Sequence, residues 1–289
     1  SMPSIWPKNI CNQERKMIIK TLVENTALND TFRANHGLSF YIETQQHKIL
    51  FDVGKNENIV YNAKQLDVHL DQVDTVVISH AHLDHGGALD IFLENNSTAT
   101  IYLQKSAFEK YYAVTGNTKQ EIGLNRALKT HPQVRLVDGF IRLDAELSLF
   151  SKILGRKLTS PLNACLCKQT QQEIVPDDFE HEQCLVVESE GKKLLFGGCA
   201  HNGIVNILER GEDICKTQFD FVFSGFHLFD PITKTPESPE LVAAIAQELL
   251  RRKTVFYTGH CTGQEVFARL KKLMGKKIEY ASAGSQIFV

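Results

Sequence analysis

Thr75-Val76-Val77-Ile78-Ser79-His80-Ala81-His82-Leu83-Asp84-His85-Gly86-Gly87 decides how this chain folds. The run from Thr75 to Ser79 is apolar and largely β-branched, which predicts a buried strand. Side chains two apart on a strand project to the same side, so His80 and His82 leave its end with their imidazoles together. One cation can sit between them. Beyond the strand the period of two is lost, and Asp84 and His85, on the following loop, turn toward a second cation nearby. Gly86 and Gly87 let the backbone pass closely. The competing account is a chance cluster of solvated histidines. Yet three of the chain's eleven histidines fall in this one segment, where unliganded imidazoles beside a carboxylate lose solvation without gaining partners.

Working outward, further histidines recur at matching strand ends. His201 stands in Gly197-Gly198-Cys199-Ala200-His201-Asn202-Gly203, His227 in Ser224-Gly225-Phe226-His227, and His260 in Tyr257-Thr258-Gly259-His260-Cys261. Upstream, Lys48-Ile49-Leu50-Phe51 is a strand that ends at Asp52-Val53-Gly54. Asp52 either shapes the turn or accepts the free N–H of a metal-bound imidazole and so fixes its tautomer. Cys199 and Cys261 each lie beside a proposed ligand histidine. A thiol there serves as a soft ligand or packs behind the ligands, and packing is the expected role.

The rest of the composition is ordinary. At 289 residues the chain can bury a sizeable core, and one large α/β domain is expected, residues 18–289, after an N-terminal extension over 1–17. Hydrophobic content of 43%, charged content of 23% and a formal net charge of −2 give no electrostatic footprint for nucleic acid. No apolar run approaches the roughly 20 residues of a membrane helix, and the first residues show no secretory pattern. The expected location is the cytoplasm. Seven scattered cysteines fit a reducing compartment better than a disulfide framework.

Taken in order, strands are expected at Ile18–Val23 and His36–Glu43, followed by a turn at Gln45-Gln46, the strand from Lys48, a helix at Ile59–Leu66, and the metal strand. A helix at Ala88–Leu93 and a strand at Thr100–Leu103 follow. Regularity then fades over about residues 105–180, too long for an ordinary connection. That stretch is either an inserted lid supplying specificity or extra strands completing a sheet. A second hairpin, Glu182–Glu188 and Lys193–Gly198, echoes the first, and a helix from Ile204 and a strand at Phe219–Phe223 extend the echo, which implies an internal duplication. Ser238-Pro239 opens a helix. The strand Thr254–Tyr257 delivers His260, and Thr262-Gly263-Gln264-Glu265 fits a capping box opening a last helix, whose N-terminus offers N–H groups to an anionic substrate. A final strand, Ile278–Tyr280, precedes Ala283-Gly284-Ser285, expected to close the site.

These motifs together resemble the metallo-β-lactamase superfamily: His80-x-His82-x-Asp84-His85-Gly86-Gly87, Gly198-Cys199-x-His201, His260 and Asp52-x-Gly54. Within it, His36-Gly37-Leu38-Ser39, Gly225-Phe226-His227-Leu228 and Tyr257-Thr258-Gly259-His260-Cys261-Thr262-Gly263 are similar to a narrower branch, metal-dependent hydrolases like the archaeal synthase of dihydropterin ribofuranosyl-aminobenzene 5′-phosphate. The resemblance implies an αβ/βα sandwich of two mixed sheets flanked by helices. It also implies that His80, His82 and His201 hold a first metal, and Asp84, His85 and His260 a second. His36, Asp52, Cys199, Thr258 and Thr262 then stand behind the ligands or face substrate. The bridging aspartate that the superfamily places after the third motif is missing; Ser224-Gly225-Phe226-His227 stands there, with Asp230 just beyond. His227 is therefore a replacement ligand or a general acid, and with Asp84 it is the candidate catalytic residue.

Two cations about 3.5–4 Å apart polarise a carbonyl or phosphoryl oxygen and activate water, leaving the protein no other nucleophile to supply. One or two Zn²⁺ are expected, with Fe or Mn compatible with the same ligands. The function expected is hydrolysis of a small anionic ester, phosphoester or lactone. A pterin-diphosphate transferase and a non-catalytic, metal-dependent ligand-binding protein are the alternatives. The sequence assigns no oligomeric state.

Overall fold

The computed structural model describes residues 17–289. All of the extension expected over 1–17 except Met17 lies outside the described residues. Met17 itself is buried, and its N–H donates to Val289 O at 3.0 Å, tying the two ends of the described chain together.

Two seven-stranded mixed sheets make the frame. In spatial order the first runs Gln286–Phe288, Ile18–Val23, Ser39–Glu43, Lys48–Phe51, Thr75–Val77, Thr100–Gln104 and Val134–Val137. The second runs Ile278–Tyr280, Val255–Thr258, Phe221–Phe223, Lys192–Phe196, Cys184–Ser189, Leu147–Phe150 and Ile141–Arg142. The same pattern builds both. An antiparallel pair leads into an antiparallel hairpin, and each hairpin's second strand starts a parallel run, Lys48–Phe51 beside Thr75–Val77 and Lys192–Phe196 beside Phe221–Phe223. This is the duplication the two hairpins imply.

Alternation along the strands explains the layering. Phe40, Ile49, Phe51 and Val77 from the first sheet meet Leu185, Leu194, Phe196 and Phe223 from the second in one buried layer. Phe196 stacks on Phe223 at 4.9 Å between centroids, and Phe40 meets Phe223 edge-on at 5.7 Å. Each such ring, fully buried, contributes roughly 1.5–3 kcal/mol. The residues between, Tyr41, Leu50 and Val76, face outward into a second core with helices α1 (Asn58–Gln65) and α3 (Leu89–Asn95). Leu195 and Val222 do the same on the other side, toward α4 (Ile204–Cys215), α5 (Pro239–Leu250) and α6 (Gln264–Met274). Strands buried on both faces read as continuous apolar runs, as these do. The result is the expected αβ/βα sandwich.

The stretch 105–180 is shared out. Val134–Val137 extends the first sheet, Ile141–Arg142 and Leu147–Phe150 extend the second, and Tyr111–Thr115, Thr118–Glu121, Leu166–Gln169 and Ile174–Pro176 form a separate four-stranded sheet.

Several local expectations need correcting. The metal strand ends at Val77, so His80 and His82 sit on the loop beyond it, and Asp84 and His85 lie in a one-turn helix, α2 (Leu83–Gly86), rather than on a loop. Thr262 makes no capping box. The helix starts one residue later than that box requires, with Gly263 at the N-cap of α6, and the Thr262 hydroxyl accepts the N–H of Phe226. Ala283-Gly284-Ser285 does not close the site. It bridges back to Ala27 and Thr21 and delivers the last strand to the first sheet.

Candidate metal centre

Asp52, His80–His85, Cys199–His201, His227 and His260 all follow the carboxyl ends of parallel strands, where an open α/β sheet places its ligand site. Their side chains gather into two groups. In the first, His80, His82 and His201 bring one ligand atom each within 4.8 Å of one another. The Nε2 atoms of all three are buried and have no hydrogen-bond partner. Burial, then the neighbouring His85, holds His80 well below its ordinary pKa; burial, then His227, does the same to His201. Burial, then His181, pushes His82 down to about 3. All three imidazoles are neutral at pH 7.

Asp84, His85, Cys199 and His260 form the second group within the same span. His85 Nε2 lies 3.1 Å from Cys199 Sγ and 3.1 Å from His260 Nε2, while Asp84 Oδ2 lies 3.1 Å from His260 Nε2 and 3.4 Å from His85 Nε2. Burial opposes a charge on His85, but Asp84 and Asp52 outweigh it and push its pKa up to about 10. A proton thus sits where the geometry suits a cation. Burial raises the Cys199 thiol well above its ordinary pKa.

The outer nitrogens fix the tautomers. His85 Nδ1–H donates to Asp52 Oδ2 at 2.6 Å, and the same oxygen accepts the Ser79 hydroxyl at 2.7 Å, which in turn accepts His80 Nδ1–H at 2.8 Å. Nδ1–H of His201 donates to Asn163 Oδ1 at 2.9 Å, and that of His260 to Asn25 Oδ1 at 2.7 Å. Four imidazoles are therefore held with Nε2 turned inward. Orphaned lone pairs, a carboxylate and a thiol converging in this way fit divalent-cation sites with their outer shell already in place.

Each residue singled out in the sequence has a definite place. Asp52 is fully buried and accepts Ser79 N–H as well as His85. His36 points Nε2 at Asp84 Oδ2, 3.3 Å away. His227 keeps a buried, partnerless Nε2 with its ring 4.4 Å from that of His201, yet stands outside both ligand groups. Cys199, expected to pack behind the ligands, sits among them. Asp230 joins neither group; its Oδ1 accepts the N–H of Ile232. Thr258 and Thr262 pair with each other at 2.6 Å and brace the backbone before His227.

Sequence reasoning missed Glu24, Asn25, Asn163, Glu182 and the His181–Asp177 pair. His181 and Asp177 lie near His82, but both His181 nitrogens are engaged: Nδ1 accepts Ala81 N–H at 3.0 Å and Nε2–H donates to Asp177 at 2.9 Å. That pair props the loop between His80 and His82. No local pattern marks these residues: Glu24 and Asn25 reach His260 across 236 and 235 positions, and Glu182 reaches His201 across the turn of a hairpin.

A cavity of about 330 Å³ opens over both groups. Ile122 and Leu166 from the 105–180 stretch and Phe229 and Ile232 from beyond His227 line its walls. Lys55, also lining it, forms no ion pair among the described residues.

Residues 33–260 match the family model of the metallo-beta-lactamase superfamily. Over 266 residues, 85% of this chain and 87% of the relative, the sequence is 30% identical to the 7,8-dihydropterin-6-methyl-4-(beta-D-ribofuranosyl)-aminobenzene-5'-phosphate synthase of Methanocaldococcus jannaschii. Among solved structures, Tm1679, described as a metal-dependent hydrolase of the beta-lactamase superfamily, superposes with a TM-score of 0.77 at 26% identity, covering 94% of this chain and 99% of that one. The metallo-beta-lactamase fold protein YhfI from Bacillus subtilis shares the fold, with a TM-score of 0.57 at 11% identity over 95% of this chain and 100% of that one. With its paired sheets, its strand-end histidines and this match across most of its length, the chain belongs to the metallo-β-lactamase superfamily.

Proposed function

We propose that this protein is a metal-dependent hydrolase of a small anionic ester, phosphoester or lactone. His80, His82 and His201 hold one cation, and Asp84, His85, Cys199 and His260 hold a second. The buried, partnerless Nε2 atoms of His80, His82 and His201 carry this reading, because orphaned lone pairs converging on one point are costly unless something binds them. A divalent cation, when bound, supplies a Lewis acid and an acidified water. Imidazole, carboxylate and thiol together suit Zn²⁺ best. Around it, the chain's own groups divide the work. Lys55 attracts the anionic group of the substrate, the apolar walls exclude water, and His227 Nε2 passes a proton to the leaving oxygen.

The 30% identity to a named synthase favours one second reading, transfer from a pterin diphosphate. Zn²⁺-, Mn²⁺- and Fe²⁺-loaded protein assayed on bis(p-nitrophenyl) phosphate, an aryl ester and a homoserine lactone tests the first. Metal-dependent release of product is expected, and His227→Ala should keep its metal while turnover falls about 10²- to 10⁴-fold. Loss of one metal in that variant would make His227 a ligand. No turnover of any of the three by the loaded protein would overturn the hydrolase reading.

A further inference from the structure

Two of the ligand histidines are borne by backbone that an L-residue rarely adopts. His260 has φ of 48° and Ala200, immediately before His201, has φ of 55°. Such conformations persist only where the surroundings over-determine them. At each, the surrounding group is a buried glutamate, Glu24 from the far end of the chain for His260 and Glu182 from the opposite end of its own hairpin for His201. Glu24, fully buried, accepts His260 N–H at 2.5 Å and the Tyr280 hydroxyl at 2.8 Å on Oε1, and the N–H and hydroxyl of Thr26 at 2.7 and 2.6 Å on Oε2. Glu182, equally buried, accepts His201 N–H at 2.7 Å on Oε1, and the N–H and side-chain amide of Asn202 at 2.9 and 2.7 Å on Oε2.

We propose that Glu24 and Glu182 are positioning residues, each dedicated to one metal site: Glu24 sets His260 for the Asp84, His85, Cys199 and His260 group, and Glu182 sets His201 for the three-histidine group. The acceptor pattern explains why the residue is a carboxylate. Each oxygen of either glutamate meets a backbone N–H, which cannot accept, so both oxygens must accept, whereas a glutamine would turn its N–H₂ group against one of these N–H groups. Neither glutamate touches a ligand imidazole. Each acts through the peptide N–H of the histidine it serves, so its loss should misplace one ligand without removing it. The inference rests on the two groups being cation sites.

The test isolates one site at a time by Zn²⁺ titration of the chelator-treated protein against a chromophoric competitor. His260→Ala leaves the three-histidine site, and His201→Ala leaves the other. In the His260→Ala background, Glu182→Gln should weaken the remaining site about 10- to 100-fold while Glu24→Gln leaves it unchanged. In the His201→Ala background the two should exchange roles. Circular dichroism and melting of the metal-free variants report folding. Should a glutamine variant not fold, Tyr280→Phe and Asn202→Ala remove one donor from Glu24 and Glu182 respectively and should give the same selectivity with a smaller factor. Equal losses in both backgrounds, or none, overturn the inference. A wild-type protein that binds no stoichiometric metal overturns instead the reading on which it rests.

Discussion

At the level of single residues, the candidate centre is shaped by what stands behind its imidazoles. Asp52 collects His85 Nδ1–H directly and His80 Nδ1–H through Ser79, so one carboxylate orients a ligand of each group. Asp52→Asn replaces one acceptor oxygen with a donor and disturbs both. It should lower metal affinity about 10- to 100-fold with the fold retained, measured by Zn²⁺ titration beside circular dichroism. Full affinity in the variant would reduce Asp52, whose own φ is 60°, to a turn residue. Cys199 makes the complementary point. Its thiol lies 3.1 Å from His85 Nε2, within the Asp84, His85 and His260 group, although nothing in the spacing of Gly198-Cys199-x-His201 distinguishes it from a packed cysteine.

Elements matter here through close approach and through the turns that lock them together. Gly198 ends the second hairpin against the first half of the site: a Cβ there would lie 2.1 Å from Ser79 Oγ and 2.9 Å from His80 Nδ1. Gly198→Ala should therefore push Ser79 off His80, weakening the three-histidine site in the same titration while the sheets stay intact. The hairpin turn of the first half carries a different device. His47 Nδ1 lies 2.8 Å from Asp74 and Nε2 2.7 Å from Asp144, which links the first sheet to the turn before Leu147–Phe150 in the second. Burial opposes its charge, but the two aspartates raise its pKa above 6.5. With the folded value above the unfolded one, the stabilisation is fully present below pH 6.5 and is lost as pH rises through the raised value. Wild-type protein should thus lose urea resistance between pH 6 and the alkaline side by more than His47→Gln does; parallel pH dependences would remove His47 from the account.

For the whole molecule, the consequence of a site assembled from both halves is that a cation should staple them. The candidate ligands come from loops after Thr75–Val77 in the first sheet and after Lys192–Phe196 and Val255–Thr258 in the second. A metal that binds only the folded chain stabilises it by about 2.7 kcal/mol at a free concentration 100 times its dissociation constant. The melting temperature should rise with added Zn²⁺ and fall on chelation, and His201→Ala should shrink the rise. A melting temperature indifferent to Zn²⁺, Mn²⁺ and Fe²⁺ would contradict a folded-state metal site. Among the described residues no helix is long and apolar enough to cross a membrane.

The sequence by itself determined what is local. Apolar runs with turn residues at their ends gave both hairpins, the parallel strands and the helices between them, because strand and helix periods and turn chemistry act over a few neighbours. The tight grouping of His80, His82, Asp84 and His85 pointed to metal-binding chemistry for the same reason. Tertiary structure brought Cys199 into the group of Asp84, His85 and His260, because His260 reaches His85 across 175 positions and Cys199 reaches it across 114. It also decided the outer shell. Glu24, Asn25, Asn163 and Glu182 look like ordinary polar residues in the chain, and only the folded structure brings their oxygens to the N–H groups of His201 and His260. A buried acceptor carries no periodic signature, since its role is set by the distant donor it meets.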